Sequence, residues 1–240
     1  MINRSNILII GSSRGIGRET AKILCGQGHN LVCVSRNEKA LESLKRECGR
    51  LFPGKPVSVH ALDVSDVADG SCNLRSIIEK EFKRIDILLY NAGLLINKKF
   101  SEFSSTGMMD IFRVNFFSAA AVIQELIPLM GGERTSHIVN IGSMGGFQGS
   151  PKFPGLSFYS ASKAALASLS ECLAVELDEL NIRVNCLALG SAQTEMLEEA
   201  FPGYQSPLSA ADMAEFVSHF MVHGHKYFNG KVLPVAVSTP

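Results

Sequence analysis

Short apolar runs rich in Val and Ile alternate with amphipathic stretches along nearly the whole chain, and this alternation constrains the fold more than any other feature. The runs occupy residues 7–10, 31–35, 57–61, 85–90, 138–141, 183–187 and 231–235. Each has the length of a strand, and few carry the polar alternation of a half-exposed sheet. The intervening stretches have helical periodicity: in 38–48, Leu41, Leu44 and Cys48 share a face at spacings of three and four. Nearly continuous apolar strands separated by helices predict an α/β fold, a single doubly wound parallel sheet with helices on both faces. In such a sheet ligands bind beyond the carboxyl ends of the strands.

The 240 residues suit one domain of this kind, and 46% hydrophobic residues suffice for a two-sided core. Lys plus Arg and Asp plus Glu are both 23, so no basic excess suggests a nucleic-acid partner. No apolar run is expected to approach the length of a membrane span, and the first residues lead straight into a strand, which gives a cytoplasmic expectation. The six cysteines are scattered without a CxxC pair and read as reduced thiols. Pro53-Gly54-Lys55-Pro56 reads as a turn, and Ser209 to Asp212 as a capping box opening a late helix. His219, His223 and His225 have no carboxylate or cysteine beside them to complete a metal site, and none is expected.

After the first run comes Gly11-Ser12-Ser13-Arg14-Gly15-Ile16-Gly17, with a helix beginning near Ile16. Glycines let a backbone turn tightly against a pyrophosphate, which the free N–H groups of the following helix stabilise. This strand, turn and helix predict a Rossmann-type dinucleotide site. An acid at the end of the second strand would bond a ribose 2′-hydroxyl, but that position reads Val34-Ser35-Arg36. No acid lies between Glu19 and Glu38, so Arg14 and Arg36 are expected to clamp a 2′-phosphate, favouring NADP(H). Asp63 and Val64 after the third strand, and Asn91-Ala92-Gly93 after the fourth, lie where adenine and ribose would rest.

Tyr159 and Lys163 stand at i and i+4 of a predicted helix. A free phenol has a pKa near 10, and a cation within about 4–6 Å lowers it toward useful acid–base work. The glycine turn, Asn91-Ala92-Gly93, Asn115, Ser143 and Tyr159-x3-Lys163 occur in an order and spacing that resemble the short-chain dehydrogenase/reductase family over nearly all of the chain. The resemblance implies a reductase of a carbonyl compound, reversible as an alcohol dehydrogenase. Tyr159 would be its proton donor, and Lys163 would lower the phenol's pKa and hold the nicotinamide ribose. Ser143 would hydrogen-bond the carbonyl oxygen, and Asn115, inside a helix spanning 108–130, would anchor a proton-relaying water. Gly190 and Thr194 would meet the nicotinamide, although Leu189 stands where the family has proline. A homodimer or homotetramer packed through the Tyr159 and Asn115 helices is also implied. Phe147, Phe153, Leu156, Phe158, Leu189, Met196 and Phe201 flank these residues and suggest an apolar pocket for a small-molecule substrate. A catalytically silent NADP(H) sensor is the alternative, and the intact Ser, Tyr, Lys and Asn set argues against it.

Overall fold

All seven apolar runs form strands in the computed structural model, which describes residues 4–55 and 57–237. Strands β1 (Asn6–Ile10), β2 (Asn30–Ser35), β3 (Val57–Ala61), β4 (Ile87–Tyr90), β5 (Ser136–Ile141), β6 (Ile182–Leu189) and β7 (Val232–Val235) lie parallel in the order β3-β2-β1-β4-β5-β6-β7. The chain runs outward from β1 to β3, then resumes at β4 on the other side of β1. This reversal opens a crevice at the carboxyl ends of β1 and β4, where an open α/β sheet binds its ligand.

Successive side chains of each strand enter opposite cores. Leu8, Ile10, Val32, Val34, Leu88 and Tyr90 pack under α4 (Leu74–Glu81), α6 (Ser118–Leu126) and α7 (Ser157–Glu176). Their neighbours Ile7, Ile9, Leu31, Cys33, Ile87 and Leu89 pack under α1 (Gly15–Gln27), α2 (Glu38–Leu51) and α9 (Ala210–His223). The remaining helices are α3 (Val64–Ala68), α5 (Ser105–Phe112) and α8 (Glu195–Ala200). Helix α2 buries Leu41, Leu44 and Cys48 as the spacing predicts, and α9 opens with the expected Ser209–Asp212 capping box. The chain turns at Pro53 and Gly54 before β3, while Pro56 lies outside the described residues.

The helix expected over 108–130 is not continuous. It is α5, a π-helical turn at Arg113–Phe117, then α6. Against the expectation from the sequence, the stretch Ser105–Leu129 is long and apolar enough to cross a membrane by length and composition. It nevertheless carries Asp110, Arg113, Asn115 and Glu125, and its Ala119, Val122, Ile123 and Leu126 pack into the core against the sheet.

Helix α7 is registered on β5 by a buried polar contact. Asn140 Nδ2 donates to Ser170 Oγ at 2.9 Å, and Ser170 Oγ donates back to the Leu166 carbonyl of its own helix at 2.7 Å. At the sheet's edge, Lys231 just before β7 and Val235 at its end turn their carbonyls to β6: Cys186 N donates to Lys231 O and Gly190 N to Val235 O. Alternation therefore turns the imide nitrogen of Pro234 outward, the side on which a strand tolerates proline.

Ser170→Ala leaves the Asn140 amide, whose Oδ1 already lacks a protein partner, wholly unpaired in the core. Urea denaturation should show a loss of about 1–3 kcal/mol; an unchanged unfolding midpoint would show that this contact does not hold α7 in place.

Candidate active site

The glycine turn is built for close backbone approach. A Cβ on Gly17 would lie 2.1 Å from the Gly11 carbonyl oxygen and 2.5 Å from Asn91 Nδ2, so only glycine lets α1 start this near β1 and β4. Asn91 Nδ2 donates to that same carbonyl at 2.6 Å, and Ser35 Oγ donates to Ser13 Oγ at 2.9 Å, which ties the turn to the ends of β4 and β2. Helix α1 has no side-chain cap and no acid in its first turn. Its first N–H groups therefore have no side-chain acceptor and no acid of the helix's own beside them, the arrangement that suits a phosphate group.

The arginine clamp expected from the sequence is not assembled. Arg14 makes a two-pronged pair with Glu199 of α8, Nη2 donating to Oε2 at 3.1 Å. Arg36 Nη1 lies 3.6 Å from Asp63 Oδ2, and Asp63 also caps α3 by accepting from Ser65 N at 2.9 Å. The stretch between Glu19 and Glu38 does lack acids, but the fold brings two carboxylates in from distant parts of the chain.

Ser143 follows β5 and caps a short turn, its Oγ accepting from Gly145 N at 3.1 Å. That turn packs against α7 so tightly that a Cβ on Gly146 would sit 2.6 Å from Ala164 N. On α7, Ser162, Lys163, Leu166, Ser170 and Ala174 form the buried stripe, with Tyr159 one turn before Lys163. Lys163 Nζ donates to the Ile141 carbonyl at 2.7 Å and lies 6.0 Å from the centre of the Tyr159 ring. Burial lowers the ammonium to about 8. Burial also pushes the Tyr159 phenol above its ordinary value, and the neighbouring Ser143 hydroxyl draws it part of the way back. Desolvation outweighs the Ser143 hydrogen bond at the phenol, and the Lys163 ammonium gives its own hydrogen bond to a backbone carbonyl.

Asn115 is fully buried in the π-helical turn. Its Oδ1 accepts from Leu94 N at 2.7 Å, and its Nδ2 donates to Leu94 O and to Ser162 Oγ, both at 2.9 Å. Tyr90, at the end of β4, donates its hydroxyl to the Val114 carbonyl of the same turn at 2.7 Å. The carboxamide thereby clamps the segment after β4 to α7, and π-helical turns often mark functional places of this sort.

Gly11, Ser13, Arg14, Gly15, Ile16, Ser35, Arg36, Asp63, Val64, Asn91, Ala92, Gly93, Ser143, Tyr159, Lys163, Gly190 and Thr194 all line one cleft of about 490 Å³. Gly17 and Asn115 support its wall from behind. Thr194 caps α8, its Oγ1 accepting from Leu197 N at 3.2 Å. Of the flanking apolar residues, Phe153, Leu156, Leu189, Met196 and Phe201 line the cleft, whereas Phe158 stacks on Phe100 and meets Phe103 edge to face, and Phe147 is not among the lining residues. Sequence reasoning missed Leu95, Met144, Ser191, Leu197 and Tyr204, which come from irregular segments or a short helix without a telling period. Because Lys163 falls from 10.5 to about 8 on folding, the unfolded chain holds more protons between those pH values. Stability conferred by neutralising it is absent below pH 8 and grows as pH rises: relative to Lys163→Met, the unfolding free energy should climb by up to about 3 kcal/mol between pH 8 and 10.5. A difference that stays flat across that range would show that the ammonium is not desolvated.

The sequence pattern of short chain dehydrogenases matches residues 5–205. "Dehydrogenase/reductase SDR family member 7B" of Mus musculus is 31% identical over 86% of this chain, which spans 63% of that protein's length. "3-oxoacyl-[acyl-carrier-protein] reductase FabG" of Chlamydia trachomatis is 29% identical, covering 98% of this chain and 96% of its own. Among solved structures, a putative short chain dehydrogenase of Escherichia coli CFT073 complexed with NADPH superposes with a TM-score of 0.84 at 27% identity, covering 98% of this chain and 97% of that one. With the sheet order, the glycine turn and the Ser143–Tyr159–Lys163 cleft, these likenesses show that the chain is an oxidoreductase belonging to the short-chain dehydrogenase/reductase family.

Proposed function

We propose that the protein is an NADPH-dependent reductase of an uncharged, largely apolar carbonyl compound, running in reverse as an alcohol dehydrogenase. The observation that carries this reading is the convergence of Ser143, Tyr159 and Lys163 on the same cleft as the glycine turn. The uncapped N-terminus of α1 and the Gly11–Gly17 turn would hold the pyrophosphate, Arg14 and Arg36 the 2′-phosphate, and Lys163 the nicotinamide ribose. The E. coli protein complexed with NADPH and the 3-oxoacyl-[acyl-carrier-protein] reductase FabG support the choice of cofactor and reaction class. When bound, the nicotinamide supplies the hydride.

The protein's own groups manage the proton and the developing charge. Tyr159, whose pKa burial raises, enters the reaction as the protonated phenol and can give its proton to the substrate oxygen as negative charge builds there. Ser143 lies close enough to Tyr159 to influence its titration, so both hydroxyls address one region, and Ser143 acts as a fixed donor to the same oxygen. The buried Lys163 ammonium stabilises the phenolate left behind. Asn115 holds the segment after β4 against α7, so that the groups stay in register.

Phe153, Leu156, Met196 and Phe201 give the substrate end apolar walls. Lys152, the cation of the loop between β5 and α7, spends its ammonium on the Phe147 carbonyl and Ser150 Oγ. Lys152 is not among the residues that line the cleft, so this loop brings no cation to the substrate end. Exposed Met109, Phe117 and Val175 on the α5–α7 side suit the proposed homodimer or homotetramer.

The direct test is consumption of NADPH, followed by its near-ultraviolet absorbance, with a panel of neutral ketones; a protein that binds NADPH and oxidises none of it would overturn the reading. Tyr159→Phe should lower kcat about 10²–10⁴-fold while NADPH binding persists, and retained turnover would remove Tyr159 as proton donor. Arg36→Ala should weaken NADPH about ten- to a hundredfold and leave NADH little changed, whereas equal losses would refute its contact with the 2′-phosphate.

A further inference from the structure

Arg14 occupies the glycine turn, yet its guanidinium is engaged by an acid some 185 residues away in sequence, Glu199. Both prongs of the fork are used, and the two side chains remain 46% and 62% exposed. The hydrogen bond to Glu199 raises the Arg14 pKa, so the guanidinium stays charged, and the same bond lowers that of Glu199. A second acid of the same helix reinforces the field: a Cβ on Gly15 would meet Glu195 Oε2 at 3.6 Å and Thr194 Cγ2 at 3.3 Å. Helix α8 thus presents carboxylates to the turn that is otherwise shaped for phosphate.

The segment bearing α8 is braced within itself. Gln193 N donates to the Leu208 carbonyl at 2.8 Å, Ser206 N to Gln193 Oε1 at 2.9 Å, and Gly203 N to Glu198 Oε1 at 3.1 Å. From the segment after β4, Asn97 Nδ2 donates to the Ala200 carbonyl at 2.9 Å. Release of Glu199 from Arg14 therefore leaves the segment's own bonds in place.

We propose that Glu199 is a cofactor-specificity residue, which holds Arg14 by a two-pronged ion pair that only a dinucleotide carrying a 2′-phosphate can profitably replace. The proposal rests on the reading of Arg14 as a ligand of that phosphate. An exposed ion pair is weak, because water and salt screen it and two long side chains must be held still. A phosphate monoester near two negative charges offers the guanidinium a stronger, equally bidentate partner. A dinucleotide with a bare 2′-hydroxyl offers no such exchange, so for it the pair remains as it is. Glu199 thereby does from α8 part of what an acid at the end of β2 does in proteins that select NAD: it opposes the phosphate, but through a partner that the phosphate can take over.

The test is calorimetric titration of NADP⁺ and NAD⁺ into the wild type, Glu199→Gln, Arg14→Gln and the double variant, with melting curves to verify that each is folded. Glu199→Gln should tighten NADP⁺ about two- to fivefold, the range expected of an exposed pair. NAD⁺ should gain less, and the effect should vanish when Arg14 is already Gln and shrink as salt is raised. An equal gain for both nucleotides, or a gain that persists without Arg14, would overturn the proposal and leave a general field effect. Arg36→Gln separates the two levels of inference. If it loosens NADP⁺ while Glu199→Gln changes nothing, only the role of Glu199 falls; if neither arginine substitution affects NADP⁺, the cofactor reading falls with it.

Discussion

The buried ammonium of Lys163 is the constraint around which the rest of this structure is arranged. An unpaired charge in a protein interior is costly, and here its hydrogen-bonded protein partner is the Ile141 carbonyl at the end of β5 rather than a carboxylate. That one contact requires α7 to lie close against β5 and the turn that follows it. The Gly146 approach to Ala164 and the Asn140–Ser170 bond supply the closeness and the register. Ser143 and Tyr159 then converge on one cleft as a consequence of packing, because Ser143 lies two residues after the anchored Ile141 and Tyr159 one helical turn before the anchored Lys163.

A second set of polar bonds governs the other wall. Asn91 links the glycine turn to β4, Tyr90 fixes the π-helical turn from the same strand, and Asn115 carries the linkage on to Ser162 of α7. The glycine turn, β4, the π-helical turn and α7 are thus bonded one to the next by side chains, and such networks rigidify a site. The cost of this arrangement appears in Lys163, whose depressed pKa marks stability given up for a charge kept out of water.

The fold was legible because its signals are local. Residues 7–10 and 31–35 announce buried strands by composition, 38–48 announces a helix by period, and Gly11, Gly15 and Gly17 announce a turn by what they lack. The Tyr159–Lys163 pairing was legible for the same reason, since four residues on a helix fix two side chains on one face. What the sequence hid was set by distance. Nothing near Arg14 or Arg36 foretells Glu199 or Asp63, and nothing around Asn115 foretells a π-helical turn rather than regular helix. Spacing along a helix reveals the neighbouring charge of Lys163 but not the burial that raises the Tyr159 phenol. Tyr204 and Ser191 were missed because their place at the cleft comes from an irregular segment braced by its own hydrogen bonds.

Pro234 carries a consequence for the molecule as a solute. A parallel sheet that ends in an unprotected strand offers a row of donors and acceptors on which any passing extended chain can crystallise, the usual first step toward fibrils. With its imide nitrogen directed outward midway along β7, the last strand breaks that row at its centre. An extended chain laid along this flank therefore finds one backbone donor missing at the middle of the strand, which weakens pairing there.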